Sequence, residues 1–416
     1  MEERTFEQKN LKHNIIANMG DGSIFGFAVG FASYSTVIPL FVATMTSSAT
    51  LIGLIPAIHQ MGWQLPQLLT AKYIKRLEFV KPFVVRMTIQ ERLPILFLAF
   101  IGLSLPVIGN TLGLILTFLL LIWQGIGSGL SANPWQIMIS KVIPGEIRST
   151  FYGFQSAGSN LLASIGAVLS GIILSKLKAP FDFSTCFFIA SALYVVSWFF
   201  LNATKEPKRA IAKNEEPPAP LWKDVQRILK HDRPFRNFLI SRVISQFGMM
   251  AFAFYTVYAV TILKMDTITI GVMTSVLMIT QFIANPLLGR IADAWSRKWV
   301  LVLGGLAAAV SSLLALMIKD SAAFSLVFIL YGISATCFWT IGMAISLEFG
   351  NEVDRPTYVG MTNTLISPST ILVPLLGGFL ADVFGYPVTF MVSALFGVFS
   401  ALTLAWMVKD PAIRSV

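Results

Sequence analysis

Charge is scarce in this sequence. Asp, Glu, Lys and Arg make up only 12% of its 416 residues, about half the share usual in a soluble domain. With 55% hydrophobic residues and a mean hydropathy of +0.72, that scarcity excludes an ordinary water-soluble domain. Cysteine is nearly missing as well. Cys186 and Cys337 are the only two, and both fall inside apolar runs, so neither a disulfide framework nor a cysteine metal site is implied. No Gly-rich loop ending in Lys and Ser/Thr occurs, which excludes a P-loop nucleotide site. No acid–base or nucleophile constellation stands at the end of an apolar run. The chain is therefore not read as an enzyme, and no cofactor or metal is implied.

What is present is a series of apolar stretches of about 20 residues, each long enough to span a bilayer core of about 30 Å. Twelve are expected. In the first half they cover roughly 13–42, 49–72, 82–107, 111–141, 147–175 and 182–202. In the second half they cover roughly 236–263, 267–290, 298–318, 321–348, 355–381 and 386–408. Met1–Lys12 precede the first run, and no small-residue cleavage site follows a short apolar core. That run reads as a retained helix, not a signal peptide.

One long polar segment divides the series. Residues 203–236 hold nine of the 31 Lys and Arg residues. The expected organisation is a six-helix bundle over 1–202, a linker over 203–235 and a second six-helix bundle over 236–416. The net charge of +10 then needs no nucleic acid. Placing the basic residues by loop puts 25 on the side of the termini and linker and four on the other, with Arg92 and Arg242 inside spans. Basic loops face the cytoplasm. Both termini are expected there, in a multi-pass protein of the plasma membrane.

The halves resemble each other. His13-Asn14 opens the first span and Arg236-Asn237 the seventh. Arg148-Ser-Thr-Phe-Tyr-Gly153 opens the fifth and Arg355-Pro-Thr-Tyr-Val-Gly360 the eleventh. Thr185 to Lys205-Glu206-Pro207 parallels Thr389 to Lys409-Asp410-Pro411. Three matches in one order favour a duplicated unit.

The loop after the eighth span reads Gly289-Arg-Ile-Ala-Asp293-Ala-Trp-Ser-Arg297-Lys298. Here the sequence resembles the major facilitator superfamily, of the twelve-helix type with no subfamily assigned. Pro374-Leu-Leu-Gly377-Gly378 and Gly385-Tyr-Pro-Val-Thr-Phe390 look typical of the same family. The resemblance implies an all-α membrane fold of two pseudo-symmetric six-helix bundles. It also implies a gating latch built from Gly289, Asp293, Arg297 and Lys298, with Asp293 meeting the start of span five near Arg148. The matching loop of the first half, with Lys72, Lys75 and Arg76, lacks the Gly and the Asp. Span five lacks the Gly-Pro pair of many drug antiporters of the family.

Few ionisable groups remain within spans, and each needs a partner or a water-filled cavity. They are Asp21, His59, Glu91, Arg92 and Arg242, the candidates for proton coupling. Asp21 lies about 12 Å into span one, between Gly20 and Gly22. Arg242 sits at comparable depth in span seven and is the expected partner. A carboxylate beside a cation or a bound substrate is a switchable proton site. A static pair, or Asp21 reaching to the headgroups, is the alternative. Glu91 and Arg92 point about 100° apart on a helix. They are mid-membrane if span three begins near Lys81, and interfacial if it begins at Pro94. An unperturbed histidine has a pKa of about 6.5, so His59 is read either as a proton shuttle or as a tie between helices.

Amides and aromatics interleave on spans that line the family's cavity. The substrate candidates are Asn18, Phe25, Asn133, Gln136, Gln155, Gln246, Tyr255 and Trp339, a lining suited to an amphipathic or uncharged organic solute. Packing is the other reading of each. The sequence thus points to a secondary active transporter of a small organic solute, working by alternating access and coupled to protons. The rivals are an uncoupled facilitator or lipid flippase of the same fold, and a non-transporting membrane sensor or scaffold. The expected partners are the solute, protons and the bilayer. The family's common form is a monomer.

Overall fold

The computed structural model describes residues 2–34, 36–208, 221–265 and 267–408. Among the described residues every regular element is helical. The first half contains α1 (Glu2–Phe31), α2 (Val37–Ala43), α3 (Ala49–Gln64), α4 (Gln67–Ile74), α5 (Lys81–Val142), α6 (Arg148–Lys176) and α7 (Phe181–Asn202). α8 (Leu221–His231) lies in the linker. The second half contains α9 (Arg233–Gly248), α10 (Tyr255–Thr261), α11 (Thr267–Ala294), α12 (Arg297–Met317), α13 (Ser321–Thr336), α14 (Gly342–Ser346), α15 (Arg355–Phe384) and α16 (Tyr386–Met407).

Nine described helical stretches are long and apolar enough to cross a bilayer. One of them, α5, is 62 residues long and is really two spans. They join at Gly109, whose φ of 75° lies in the left-handed region that glycine enters freely. α1, and α3 together with α4, supply the remaining two of twelve spans.

Several spans are less regular than the sequence suggested. Span one breaks after Phe31 and resumes at Val37. Span two breaks at Leu65 and Pro66, where proline has no N–H to continue the helix. Span seven passes through a 3₁₀ turn at Met250–Ala253, and span ten through a π turn at Cys337–Ile341. The linker is also more structured than expected. α8 buries Val225 and Ile228 and exposes Trp222. Residues 209–220, with Arg209 and Lys213, lie outside the described residues, as do Lys409, Arg414 and the Lys409-Asp410-Pro411 end of the third repeat match.

Two compact units result. The first comprises Met1–Pro144, Gly158–Pro218 and Val359–Thr364; the second comprises Gly145–Ala157, Ala219–Tyr358 and Leu365–Val416. The opening turns of α6 are counted with the second unit, and Val359–Thr364 of α15 with the first.

Each unit has its own core. In the first, Phe31, Ile38, Phe41, Ile95, Leu98, Phe187 and Tyr194 pack together. α3 and α5 approach at a pair of glycines there: a Cβ on Gly62 would come 2.5 Å from the Gly125 backbone. The second core is aromatic, built on Tyr255, Tyr258, Phe324, Phe328 and Phe390. Large apolar side chains such as Val195, Phe199, Phe379, Leu395 and Trp406 stay exposed. Hydrocarbon, not water, is the solvent such helix faces require.

Candidate coupling and gating sites

Asp21 sits on α1 and is 5% exposed. α7 comes close beside it: a Cβ on Gly20 would meet the Phe200 ring at 2.5 Å. Ser197 of α7 donates its hydroxyl to Asp21 Oδ1 at 2.6 Å. Arg92 of α5 places Nη2 3.2 Å from the same oxygen and 3.0 Å from Ser197 Oγ. Arg92 Nη1 also donates to Thr88 O at 3.3 Å, and its Cζ lies 5.4 Å over the Phe25 ring. The cation that serves Asp21 is therefore Arg92, not the expected Arg242. Arg92 is available because three helices of the first unit converge on one buried oxygen.

Arg92 reaches that position because α5 begins at Lys81, eleven residues earlier. The interfacial alternative for Glu91 and Arg92 does not hold: they are 9% and 8% exposed. Glu206 fixes the start of the helix. Its carboxylate accepts from Val80 N at 2.9 Å and Lys81 N at 2.7 Å, and it pairs with Lys141 at 2.5 Å. Glu91 and Arg92 diverge as helix geometry demands. Glu91 turns to the second limb of α5, where Ser128 and Ser131 donate hydroxyls at 2.8 and 3.1 Å. His59 stacks on Tyr34 with centroids 3.8 Å apart, and its Nδ1 lies 3.2 Å from Gln124 Oε1.

The substrate candidates separate into two groups. Asn18 is fully buried and donates to Asn14 O and Thr204 Oγ1. Asn133 is fully buried and donates to Gln67 O at 2.9 Å. Tyr255 is fully buried among the hydroxyls of Ser311 and Ser312. These three tie helices together instead of lining open space, as buried polar groups must when water is absent. Gln136 and Gln155 are also buried, the former with Oε1 lacking a hydrogen-bond partner. Gln246 is half-buried, Phe25 covers Arg92, and Trp339 is 45% exposed.

In the second unit, Asp293 stands at the end of α11 against the first turn of α6. Its two oxygens accept from Ser149 N at 3.1 Å and Thr150 N at 2.6 Å. These are orphan donors of a helix start, where a negative charge is favoured. Arg297 opens α12 and donates to Asp293 Oδ1 and to Ser149 Oγ, each at 2.7 Å. It also donates to Gly145 O. Gly289 permits the approach, since a Cβ there would meet Ser149 O at 2.5 Å. Arg148 pairs with Glu348 at 2.5 Å, and Arg297 lies 3.6 Å from the same carboxylate. Lys298 belongs elsewhere: its ammonium lies 5.2 Å over the Trp299 ring. Glu348, Ser197, Ser128 and Ser131 escaped the sequence reading, and Glu206 entered it only within a repeat match. Only Glu348 carried a signal, as an acid on a face otherwise rich in bases.

Long apolar helices that bury ionisable side chains fit a protein working within a membrane. The Major Facilitator Superfamily model matches residues 90–263 and again residues 238–415, and the chain belongs to that superfamily. It is a multi-pass membrane protein of a transporter superfamily. Over 149 residues it is 30% identical to Multidrug resistance protein 1 of Bacillus subtilis (strain 168), a stretch covering 36% of this chain and 38% of that protein. Over 393 residues it is 24% identical to the MFS-type transporter SLC18B1 of Mus musculus, covering 90% of this chain and 82% of that one. Matches to the two Bacillus subtilis multidrug resistance proteins span well under half of their length. The structure of the transporter FucP in the outward conformation aligns with a TM-score of 0.76 at 15% identity, over 95% of this chain and 99% of that one. The proton:xylose symporter XylE aligns with a TM-score of 0.70 at 16% identity, over 97% of each chain. Both likenesses are of fold.

Proposed function

We propose that the protein is a secondary active transporter that moves a small organic solute by alternating access and couples it to protons through Asp21. The observation that supports this is the buried cluster of Asp21, Arg92 and Ser197. An ionisable carboxylate in a span needs a compensating partner, and here one oxygen serves both the guanidinium and the hydroxyl. Protonation of Asp21 would cancel the charge opposite Arg92. The guanidinium would then turn to a solute group or to its remaining acceptors at Thr88 and Ser197. That exchange gives solute and proton a shared site, which coupling requires. Glu91, held by two serines, is the second candidate proton carrier.

The contacts of Asp293 with Ser149 and Thr150 serve as a latch that is made in one state and broken in the other. Two six-helix bundles flanking the linker, over 1–202 and 236–416, are the moving bodies of the cycle. Both termini face the cytoplasm of the plasma membrane, in keeping with the distribution of basic residues, and the working form is a monomer. The relatives called multidrug resistance proteins in Bacillus subtilis, and the Vesicular acetylcholine transporter of Mus musculus, favour an organic solute.

The test is a thermal-unfolding screen of purified protein against a broad solute panel at acid and alkaline pH, with Asp21→Asn alongside. Binding to the folded state raises stability by mass action. A solute whose shift depends on pH in the wild type but not in the variant is the expected result. A shift indifferent to pH in both proteins would favour the uncoupled facilitator.

A further inference from the structure

Arg242 is a buried cation within span seven and has no counter-charge among the described residues. It is the tenth residue of α9, about 13 Å along that helix, and is 8% exposed. Its Nη2 donates to Phe338 O at 2.9 Å, and its Cζ lies 5.3 Å over the Phe338 ring. Nε and Nη1 are buried with no hydrogen-bond partner, so only one of the five N–H bonds of the guanidinium is met. No ion pair among the described residues involves it. Arg92, by contrast, has Asp21, and Glu91 has two hydroxyls.

The backbone beside Arg242 is also unusual. The π turn at Cys337–Ile341 interrupts span ten, and such turns gather at functional sites. Gly342 follows it, where a Cβ would lie 3.2 Å from Arg242 Nη2. Gln246 stands one turn further along α9, on the same face, and is half-buried. Trp339 is 45% exposed beside Phe338.

A purely structural role fits poorly. One hydrogen bond to a carbonyl can be made by a neutral donor, whereas a buried and unpaired cation is strongly unfavourable. An ionisable side chain kept in a span under that penalty marks a site whose partner arrives from outside. We propose that Arg242 receives the anionic group of the transported solute, and that the substrates are organic acids, carboxylates above all. A carboxylate would take charge-assisted hydrogen bonds from the unpartnered nitrogens. Gln246 and Trp339 would meet the polar and apolar parts of the same molecule. This rests on the transporter reading and names its substrate class.

The experiment is thermal unfolding of the purified full-length protein with matched acid and amide probes: benzoate with benzamide, and indole-3-acetate with indole-3-acetamide, at equal ionic strength. In wild type the acids are expected to raise the unfolding temperature and the amides to do so less or not at all. Arg242→Met should lose the acid-specific shift, Arg242→Lys should keep part of it, and Arg242→Met without probe should unfold at or above the wild-type temperature. Acid and amide acting alike in wild type would overturn the proposal. So would an acid shift that survives Arg242→Met. A lower unfolding temperature for both Arg242→Met and Arg242→Gln without probe would likewise make the residue a structural tie. Acid binding that ignores pH in both wild type and Asp21→Asn would end the coupling reading and leave this one standing.

Discussion

Asp21 Oδ1 and Arg92 Nη2 lie 3.2 Å apart, 71 residues apart in sequence, with Ser197 Oγ within hydrogen-bond distance of both. The pair is nearly sealed from solvent, so its members depend on each other. Removing one leaves an uncompensated charge, a loss of about 3–5 kcal/mol. Asp21→Ala and Arg92→Met should each lower the unfolding temperature sharply. The double variant Asp21→Leu with Arg92→Met should recover much of the loss. Strictly additive losses would mean that the two side chains do not act as a pair.

Glu91 offers a cleaner separation of charge from hydrogen bonding. Glu91→Gln keeps an acceptor for the serine hydroxyls, and a change of about 1 kcal/mol is expected. Glu91→Leu strips Ser128 and Ser131 of their acceptor and should lose about 2 kcal/mol or more. Chemical denaturation of both variants measures the difference. Equal losses would show that the two hydroxyls find acceptors elsewhere.

At the latch, Ser149 is fully buried, and its N–H and hydroxyl are both occupied. A cysteine at position 149 should resist a water-soluble maleimide. Adding Asp293→Asn removes the charge facing the start of α6, an effect of about 1–2 kcal/mol in a buried setting, and should raise the labelling rate several-fold. The native cysteines do not interfere, since Cys186 and Cys337 are both buried. Unchanged labelling would remove the gating role from Asp293.

Glu206 caps α5 from the linker and neutralises Lys141. Glu206→Ala should destabilise by about 2 kcal/mol, more than an exposed cap residue, because a half-buried lysine also loses its partner. Glu206→Gln should recover only part of this. A loss below about 0.5 kcal/mol would mean that the start of α5 is held by packing alone.

The spans and the repeat were legible in the sequence because hydropathy and loop charge are one-dimensional signals. Asp21 could be picked out for the same reason, as a charge where charge is penalised. Its partner could not. Depth along a helix can be counted, but which of several helices faces Asp21 is set by packing, and Arg92 comes from a different span than the one expected. Asp293 was legible through its motif and Glu206 was not, although both carboxylates accept backbone N–H at a helix start. The serines around Asp21 and Glu91 had no signal, since buried serines are common wherever helices pack closely. Breaks at Pro66 and Gly109 follow from residue chemistry, whereas the π turn at Cys337–Ile341 has no marker in its own residues.

The most direct measurement of the central claim is proton movement in proteoliposomes loaded with a pH-sensitive dye. The solute is one that stabilises the purified protein, and wild type is compared with Asp21→Asn. Proton flux that starts on adding the solute to wild-type vesicles and is absent with Asp21→Asn is the predicted result. Equal solute-driven flux in the two proteins would contradict it, as would solute uptake by wild type with no proton movement.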